Sequence, residues 1–280
     1  GSAAFPESGG ILMYQQEYER WLAAELEDKD LKPELLSIQG IDAEIQDRFA
    51  VELEFGTAGL RGVLGAGTNR MNIYMVRKAT QGLANYLNKQ GGKKSVAISY
   101  DSRIKSDVFA REAARVLAGN GVKAYLYKEL MPVPALSFAT RHLHCDAGIM
   151  VTASHNPAVY NGIKVFMEGG RDADETLTAA FEGYIRELEG EPVETVPYEE
   201  GLAAGSIQLI DPMNDYIDSI LKMVDAEAIR SRGLHVVLDP MYGVSKTALQ
   251  TILLTTRCDV EVIHERRDTL FGGRLPAPNL

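Results

Sequence analysis

A polar segment follows an apolar run at Val151-Thr152-Ala153-Ser154-His155-Asn156-Pro157. Asp146 to Val151 reads as a buried strand, and in α/β sheets ligands gather where such strands end. Ser154 supplies a hydroxyl with the His155 imidazole beside it, Pro157 stiffens the exit, and Asn156 can bond the local backbone. That would hold a serine on a rigid, exposed turn. Adjacent residues rarely face the same atom, so the dipeptide also fits a plain polar turn. A triad hydrolase fails on local context, because no Gly-x-Ser-x-Gly elbow surrounds Ser154.

Three cations share this pattern. Arg61 lies in Gly56-Thr57-Ala58-Gly59-Leu60-Arg61-Gly62, where three glycines in seven residues let backbone N–H groups face an anion. Arg103 lies in Asp101-Ser102-Arg103, directly after a strand, and Lys164 in Asn161-Gly162-Ile163-Lys164. If the strands before Arg103 and Ser154 are parallel, both residues reach one sheet edge, and cations gathered there would grip phosphate. Taken singly, each reads as a surface cation.

The elements that would position these residues alternate. Tyr14, Tyr18, Trp21, Leu22 and Leu26 share a helical face, and a second helix is expected over Asp42 to Leu53. Helices follow at Asn72–Asn88, with Asn72 as cap, Ser106–Gly119, Pro134–Arg141 and Asp174–Leu188. Strands are expected at Ser95–Tyr100, Val122–Tyr127, Asp146–Val151 and Gly162–Met167. The fold class is α/β: a mixed, largely parallel sheet flanked by helices, followed by a second, incomplete α/β domain. That second unit holds a helix at Asp211–Val224, strands at Leu234–Leu238 and Val260–Ile263, and a helix at Val244–Leu254.

Between Glu182 and Glu200 seven acids face one base, with Gly190, Pro192 and Pro197 among them. Gly190 to Gly205 therefore reads as a solvated connection between a first domain at 13–200 and a second at 206–280. Residues 1–12, with Gly1-Ser2 and a Gly/Ser-rich stretch, read as an expression leader.

Composition narrows the rest. The 280 residues are 45% hydrophobic and 24% charged, which is ordinary globular usage. A net charge of −10 makes a nucleic-acid partner a poor fit. No apolar run approaches the ~18 residues of a membrane span, and no basic amphipathic stretch suggests a membrane surface. Two distant cysteines, Cys145 and Cys258, favour a reducing, cytoplasmic compartment.

Three segments together resemble the α-D-phosphohexomutases: Glu54 to Gly62, the loop Thr152 to Pro157, and Asn161-Gly162-Ile163-Lys164. Within that family Thr152-Ala153-Ser154-His155-Asn156-Pro157 is similar to phosphoglucomutases and phosphomannomutases. Gly65 to Asn72 is similar to a long bacterial phosphoglucomutase branch with phosphopentomutase-like members. The resemblance runs from about Met13 to the C-terminus. It implies an enzyme that moves a phosphoryl group within a sugar monophosphate through phosphoserine and a sugar bisphosphate. Ser154 would carry the phosphoryl group, Lys164 would act as general acid/base, and His155 would position or deprotonate the sugar hydroxyl. Arg61 and Arg103 would offset charge on the phosphoryl oxygens, with Thr152, Ala153, Asn156 and Pro157 shaping the loop. Mg²⁺ would bind a phosphoryl oxygen on Ser154 and three aspartates, and a glucose 1,6-bisphosphate-type activator would load the serine.

The family's Asp-Gly-Asp-Ala-Asp-Arg loop does not occur in these residues. The chain thus reads as the N-terminal part of such an enzyme, inactive alone, its unfinished second domain open to self-association. Arg171-Asp172-Ala173-Asp174-Glu175 resembles the loop superficially but reads as a helix start capped by Asp172 or Asp174. Asp239 to Ser245 reads as a phosphate turn or a domain-contact loop, and His142 and His144 as structural or surface residues. The alternative class is a non-catalytic phosphosugar-binding or regulatory protein on a truncated mutase scaffold.

Overall fold

A computed structural model describes residues 13–56, 59–188 and 191–279 of the chain. Three helices lead, α1 (Met13–Ala23), α2 (Leu31–Ser37) and α3 (Asp42–Phe49). Their apolar stripes close on one another through Tyr14, Tyr18, Trp21, Leu35, Ile45 and Phe49. The helix expected to reach Leu53 stops at Phe49, because the backbone leaves to meet the Thr68 turn: Leu53 N–H donates to the Thr68 carbonyl at 3.0 Å.

Two strands come next, β1 (Phe55–Gly56) and β2 (Gly59–Val63), where the sequence suggested a glycine-rich loop with free N–H groups. The glycines serve close approach instead. A Cβ on Gly59 would sit 2.3 Å from the Ile163 carbonyl oxygen, and one on Gly62 would strike the Leu53 side chain. Thr57 and Ala58 of that motif lie outside the described residues, as does the leader read at 1–12.

The chain then alternates through α4 (Ile73–Lys89), β3 (Ser95–Tyr100), α5 (Ser106–Gly119), β4 (Lys123–Tyr127), α6 (Val133–His142), β5 (Ala147–Val151), β6 (Tyr160–Met167), β7 (Arg171–Asp172) and α7 (Glu175–Arg186). Asn72 caps α4 by accepting from the Met75 N–H at 3.1 Å, and Asp174 caps α7 by accepting from Leu177 at 2.9 Å. The strand order is β1-β2-β6-β5-β3-β4-β8, with β7 beside β6, where β8 is Ile207–Ile210. Strands β5, β3, β4 and β8 are mutually parallel, and the β1-β2-β6-β7 side is antiparallel.

Side-chain alternation sends the two faces of this mixed sheet into two cores. Val96, Ile98, Ile149, Val151, Ile163 and Val165 pack with α4, α5 and α7. Ala97, Tyr127, Met150 and Phe166 pack with α6 and the following α9 (Met213–Leu221). Strand β5 is buried on both faces, which explains its unbroken apolar run.

The acidic stretch is not a free connection. It holds α8 (Tyr198–Ala204), and its backbone is strapped across α4 and α5: Glu194 N–H donates to Gln81 Oε1 at 3.0 Å and Arg115 Nε to the Val196 carbonyl at 2.9 Å. Gly205, at φ +74, ends α8 and turns the chain into β8. The first sheet therefore runs past residue 206, where the sequence set the second unit's start. Its two isoleucines decide this, since Ile207 enters one core and Ile210 the other.

After α9 come α10 (Ala226–Arg232), β9 (His235–Leu238), α11 (Lys246–Thr255) and β10 (Asp259–Val262). Strands β9 and β10 pair in parallel as a βαβ unit. Among the described residues, no helix is long and apolar enough to cross a membrane.

Candidate functional site

The connection after β3 turns toward β4, while that after β5 turns toward β6. Their divergence makes the carboxyl ends of these strands the switch point of the sheet, the place where α/β sheets hold ligands. Asp101 N–H donates to the Val151 carbonyl at 3.2 Å, which sets the two loops side by side. Arg103 and Ser154 thus share one edge, as the parallel reading required.

Ser154 has φ +54, a left-handed backbone that a non-glycine residue adopts only when its surroundings enforce it. In this conformation its hydroxyl meets the neighbouring ring. Ser154 Oγ lies 3.3 Å from His155 Nδ1, and both residues are exposed. Chain adjacency, a weak signal in the sequence, here becomes a contact. Below the turn, Ser154 N–H donates to Thr152 Oγ1 at 3.0 Å, and the Thr152 hydroxyl donates to Asp101 Oδ2 at 2.7 Å.

Arg103 plays another part than the one the sequence suggested. Its Nη2 donates to the carbonyls of Ser154 and Asn156, both at 2.8 Å. Nη1 donates to the carbonyls of Pro157 at 3.0 Å and Tyr160 at 3.2 Å. The side chain is 1% exposed, so the guanidinium is committed to the inside of the loop rather than to a phosphoryl group. Its planar fork, with five donors in fixed geometry, suits four converging carbonyls. Burial lowers its pKa, Asp101 at 3.4 Å opposes this, and the charge of Arg61 adds to the lowering.

Arg61 sits on β2 opposite Gly162 of β6, and its Nη1 donates to Asn156 Oδ1 at 3.1 Å. Burial lowers its pKa. With Arg103 committed inward, Arg61 is the cation at the loop whose described hydrogen bonds include only this single side-chain partner. Gly162 has no side chain because β2 and the loop close in there: a Cβ would lie 2.3 Å from the Leu60 carbonyl oxygen and 3.0 Å from that of Thr152. Lys164 lies two positions further along β6. Its ammonium donates to Asp172 Oδ2 at 2.8 Å and sits over the Phe166 ring, so it is tied to β7 rather than to the serine loop.

One contributor escaped the sequence reading. Asp101 was visible only as a member of its tripeptide. Its Asx turn to Arg103 N–H, at 3.0 Å, is a local signal that could have marked it. The second unit also contributes: of the two readings the sequence offered for Asp239–Ser245, phosphate turn or domain-contact loop, the segment makes the contact. Ser102 Oγ donates to the Tyr242 carbonyl at 3.0 Å, and the Phe271 ring centre lies 5.1 Å from the Arg103 guanidinium. That loop is pinned by Asp239, which accepts from Met241 N–H at 2.8 Å and faces His264 Nδ1 at 3.0 Å. His142 stacks on Phe138 and meets Asp215 at 3.3 Å, a surface role.

Asp172 and Asp174 are used by Lys164 and by the α7 cap. Among the described residues no three His, Cys, Asp or Glu side chains converge as a metal site. The expected Mg²⁺ therefore finds no side-chain ligand set among the described residues.

Fold and site together define a three-layer α/β/α domain with an exposed serine on the loop at the sheet's switch point. The family profile for phosphoglucomutase/phosphomannomutase α/β/α domain I matches residues 52–191, and that for domain II matches residues 214–280. The chain belongs to this family, the α-D-phosphohexomutases. It is 38% identical over 204 residues to a phosphoglucomutase of Staphylococcus saprophyticus, covering 72% of this chain and 37% of the relative. It is 36% identical over 221 residues to that of Staphylococcus aureus strain MRSA252, covering 77% and 39%. The chain thus spans well under half the length of these relatives. A provisionally named phosphomannomutase from Thermus thermophilus superposes with a TM-score of 0.70 at 28% identity, covering 82% of this chain and 49% of that one. Paramecium parafusin shares the fold, with a TM-score of 0.65 at 21% identity over 82% and 47%.

Proposed function

We propose that the whole protein is a phosphoglucomutase/phosphomannomutase-type enzyme in which Ser154 carries the transferred phosphoryl group. The observation that carries this reading is the exposed Ser154 hydroxyl, 3.3 Å from His155 Nδ1 on a turn held by Arg103. The phosphoglucomutase names of relatives at 36–38% identity support it.

In this reading phosphoserine meets a sugar monophosphate. A free sugar hydroxyl attacks phosphorus, the new sugar P–O bond forms and the bond to Ser154 Oγ breaks. The bisphosphate reorients and returns its other phosphoryl group to Ser154. Covalent storage divides one hard transfer into two easier ones. His155 positions the hydroxyl or takes its proton, and Lys164 serves as general acid/base once its ammonium leaves Asp172, its partner in this structure. Arg61 offsets charge on the phosphoryl oxygens, and Arg103 holds the loop that presents them. A glucose 1,6-bisphosphate-type activator loads the serine.

The test is an assay of the whole protein with glucose 1-phosphate, Mg²⁺ and glucose 1,6-bisphosphate. Ser154→Ala loses at least about 10³-fold in turnover with an unchanged circular dichroism spectrum. Near-normal activity in that variant overturns the assignment.

A further inference from the structure

Beneath the serine loop lies a chain of hydrogen bonds that all point one way. Asn161 Nδ2 donates to Ser106 Oγ at 2.9 Å, and the Ser106 hydroxyl donates to Asp101 Oδ1 at 2.7 Å. From the other side Ser154 N–H donates to Thr152 Oγ1 at 3.0 Å, and the Thr152 hydroxyl donates to Asp101 Oδ2 at 2.7 Å. Arg103 N–H adds a fifth donor, at 3.0 Å from Oδ1. Ser106, Asn161 and Thr152 are all buried. An ionised carboxylate accepts only, so it draws both hydroxyl protons toward itself. That leaves the hydroxyl lone pairs facing outward, toward the Ser154 amide on one branch and the Asn161 amide on the other.

We propose that Asp101 is a positioning residue for the nucleophile: its charge orients the Thr152 hydroxyl, and Thr152 in turn holds the Ser154 backbone in the left-handed conformation that presents its Oγ. This rests on the reading of Ser154 as phosphoryl carrier. Physically, a non-glycine residue at φ +54 needs such a fixed partner. A neutral amide at position 101 breaks the polarity. Its NH2 would donate to Thr152 Oγ1, which already accepts from Ser154, and the Thr152 proton would lose its acceptor. Such chains polarise one another, so the effect passes along the branch.

The experiment uses the whole protein with four variants, Asp101→Asn, Thr152→Val, Thr152→Ser and Asp101→Asn with Thr152→Val, and Ser154→Ala as control. Asp101→Asn lowers kcat by about 10–100-fold, as misplacing a reacting group does, while KM for glucose 1-phosphate moves by less than about threefold. Thr152→Val has a similar effect. The double variant is no worse than the more damaging single one, because both break one branch. Thr152→Ser, which keeps the hydroxyl, recovers at least about tenfold over Thr152→Val. A purely structural role would lower Tm and leave kcat per folded molecule alone. If Asp101→Asn fails to fold, the comparison of Thr152→Val with Thr152→Ser decides alone. Equal kcat in that pair, kcat within about twofold of wild type in Asp101→Asn, or additive losses in the double variant overturn the proposal. Ser154→Ala separates the two readings: if it stays active the carrier assignment falls, and if it is dead while Asp101→Asn is active only the role of Asp101 falls.

Discussion

The guanidinium carbon of Arg103 lies 5.1 Å from the centre of the Phe271 ring. One residue belongs to the loop after β3, the other to a turn beyond β10. The arginine that gathers four carbonyls of the serine loop is thus covered by the second unit. Ser102, which donates to the Tyr242 carbonyl, anchors the same seam. The placement of the second unit and the order of the serine loop are physically linked.

Arg103→Lys tests that gathering role. An ammonium is a point donor and cannot span the carbonyls of Ser154, Asn156, Pro157 and Tyr160 together. Each buried carbonyl left unsatisfied costs ~1–3 kcal/mol. The variant loses about 3 kcal/mol in urea unfolding, and amide exchange over residues 153–160 quickens. Unchanged exchange there would assign Arg103 to substrate rather than to the loop.

Gly162→Ala places a Cβ 2.3 Å from the Leu60 carbonyl oxygen, and backbone cannot step aside as a side-chain tip can. The ladder between β2 and β6 must open, at a destabilisation of about 3 kcal/mol. The shift also reaches Thr152, whose carbonyl is the next backbone contact. Thermal unfolding measures the first effect. A variant of wild-type Tm would mean that the strands do not close in at this point.

Lys164→Met in the whole protein lowers kcat by roughly 10²–10⁴-fold if the ammonium transfers a proton, and it alters the pH dependence of kcat. A small loss with an unchanged pH–rate profile places Lys164 in binding only.

Hydrogen bonds from Arg77 hold the Glu27 carboxyl below its ordinary pKa of 4.5, with burial opposing. A carboxyl depressed in the folded state stabilises the fold above its unfolded pKa, and that contribution disappears as pH falls through the folded value. Glu27 follows α1 while Arg77 lies on α4, so the leading helices loosen from the sheet domain below about pH 4.5. Urea midpoints taken from pH 6 to about pH 3 should fall more steeply in the wild type than in Arg77→Met. Parallel slopes would show that this pair does not set the acid limit.

What the sequence determined by itself is what depends on neighbours in the chain. Helices α4, α5 and α7 were legible because 3.6-residue periodicity and the caps Asn72 and Asp174 act within one turn. Strands β3 and β5 were legible from short apolar runs before polar breaks, and the Ser154 loop from its composition. Tertiary structure alone decided the rest, because strand pairing and buried hydrogen bonds join residues far apart in the chain. The glycines before Arg61 admit a free loop or a strand, and only β6, about a hundred residues later, makes them β2. The acidic stretch could stay solvated until Gln81 and Arg115 offered its backbone partners. Arg103 carries the same charge wherever it points, and four carbonyls from a loop some fifty residues away turn it inward. Ser154 and His155 were adjacent from the start, but they face each other only at a backbone angle that the buried Thr152 and the half-buried Asp101 support.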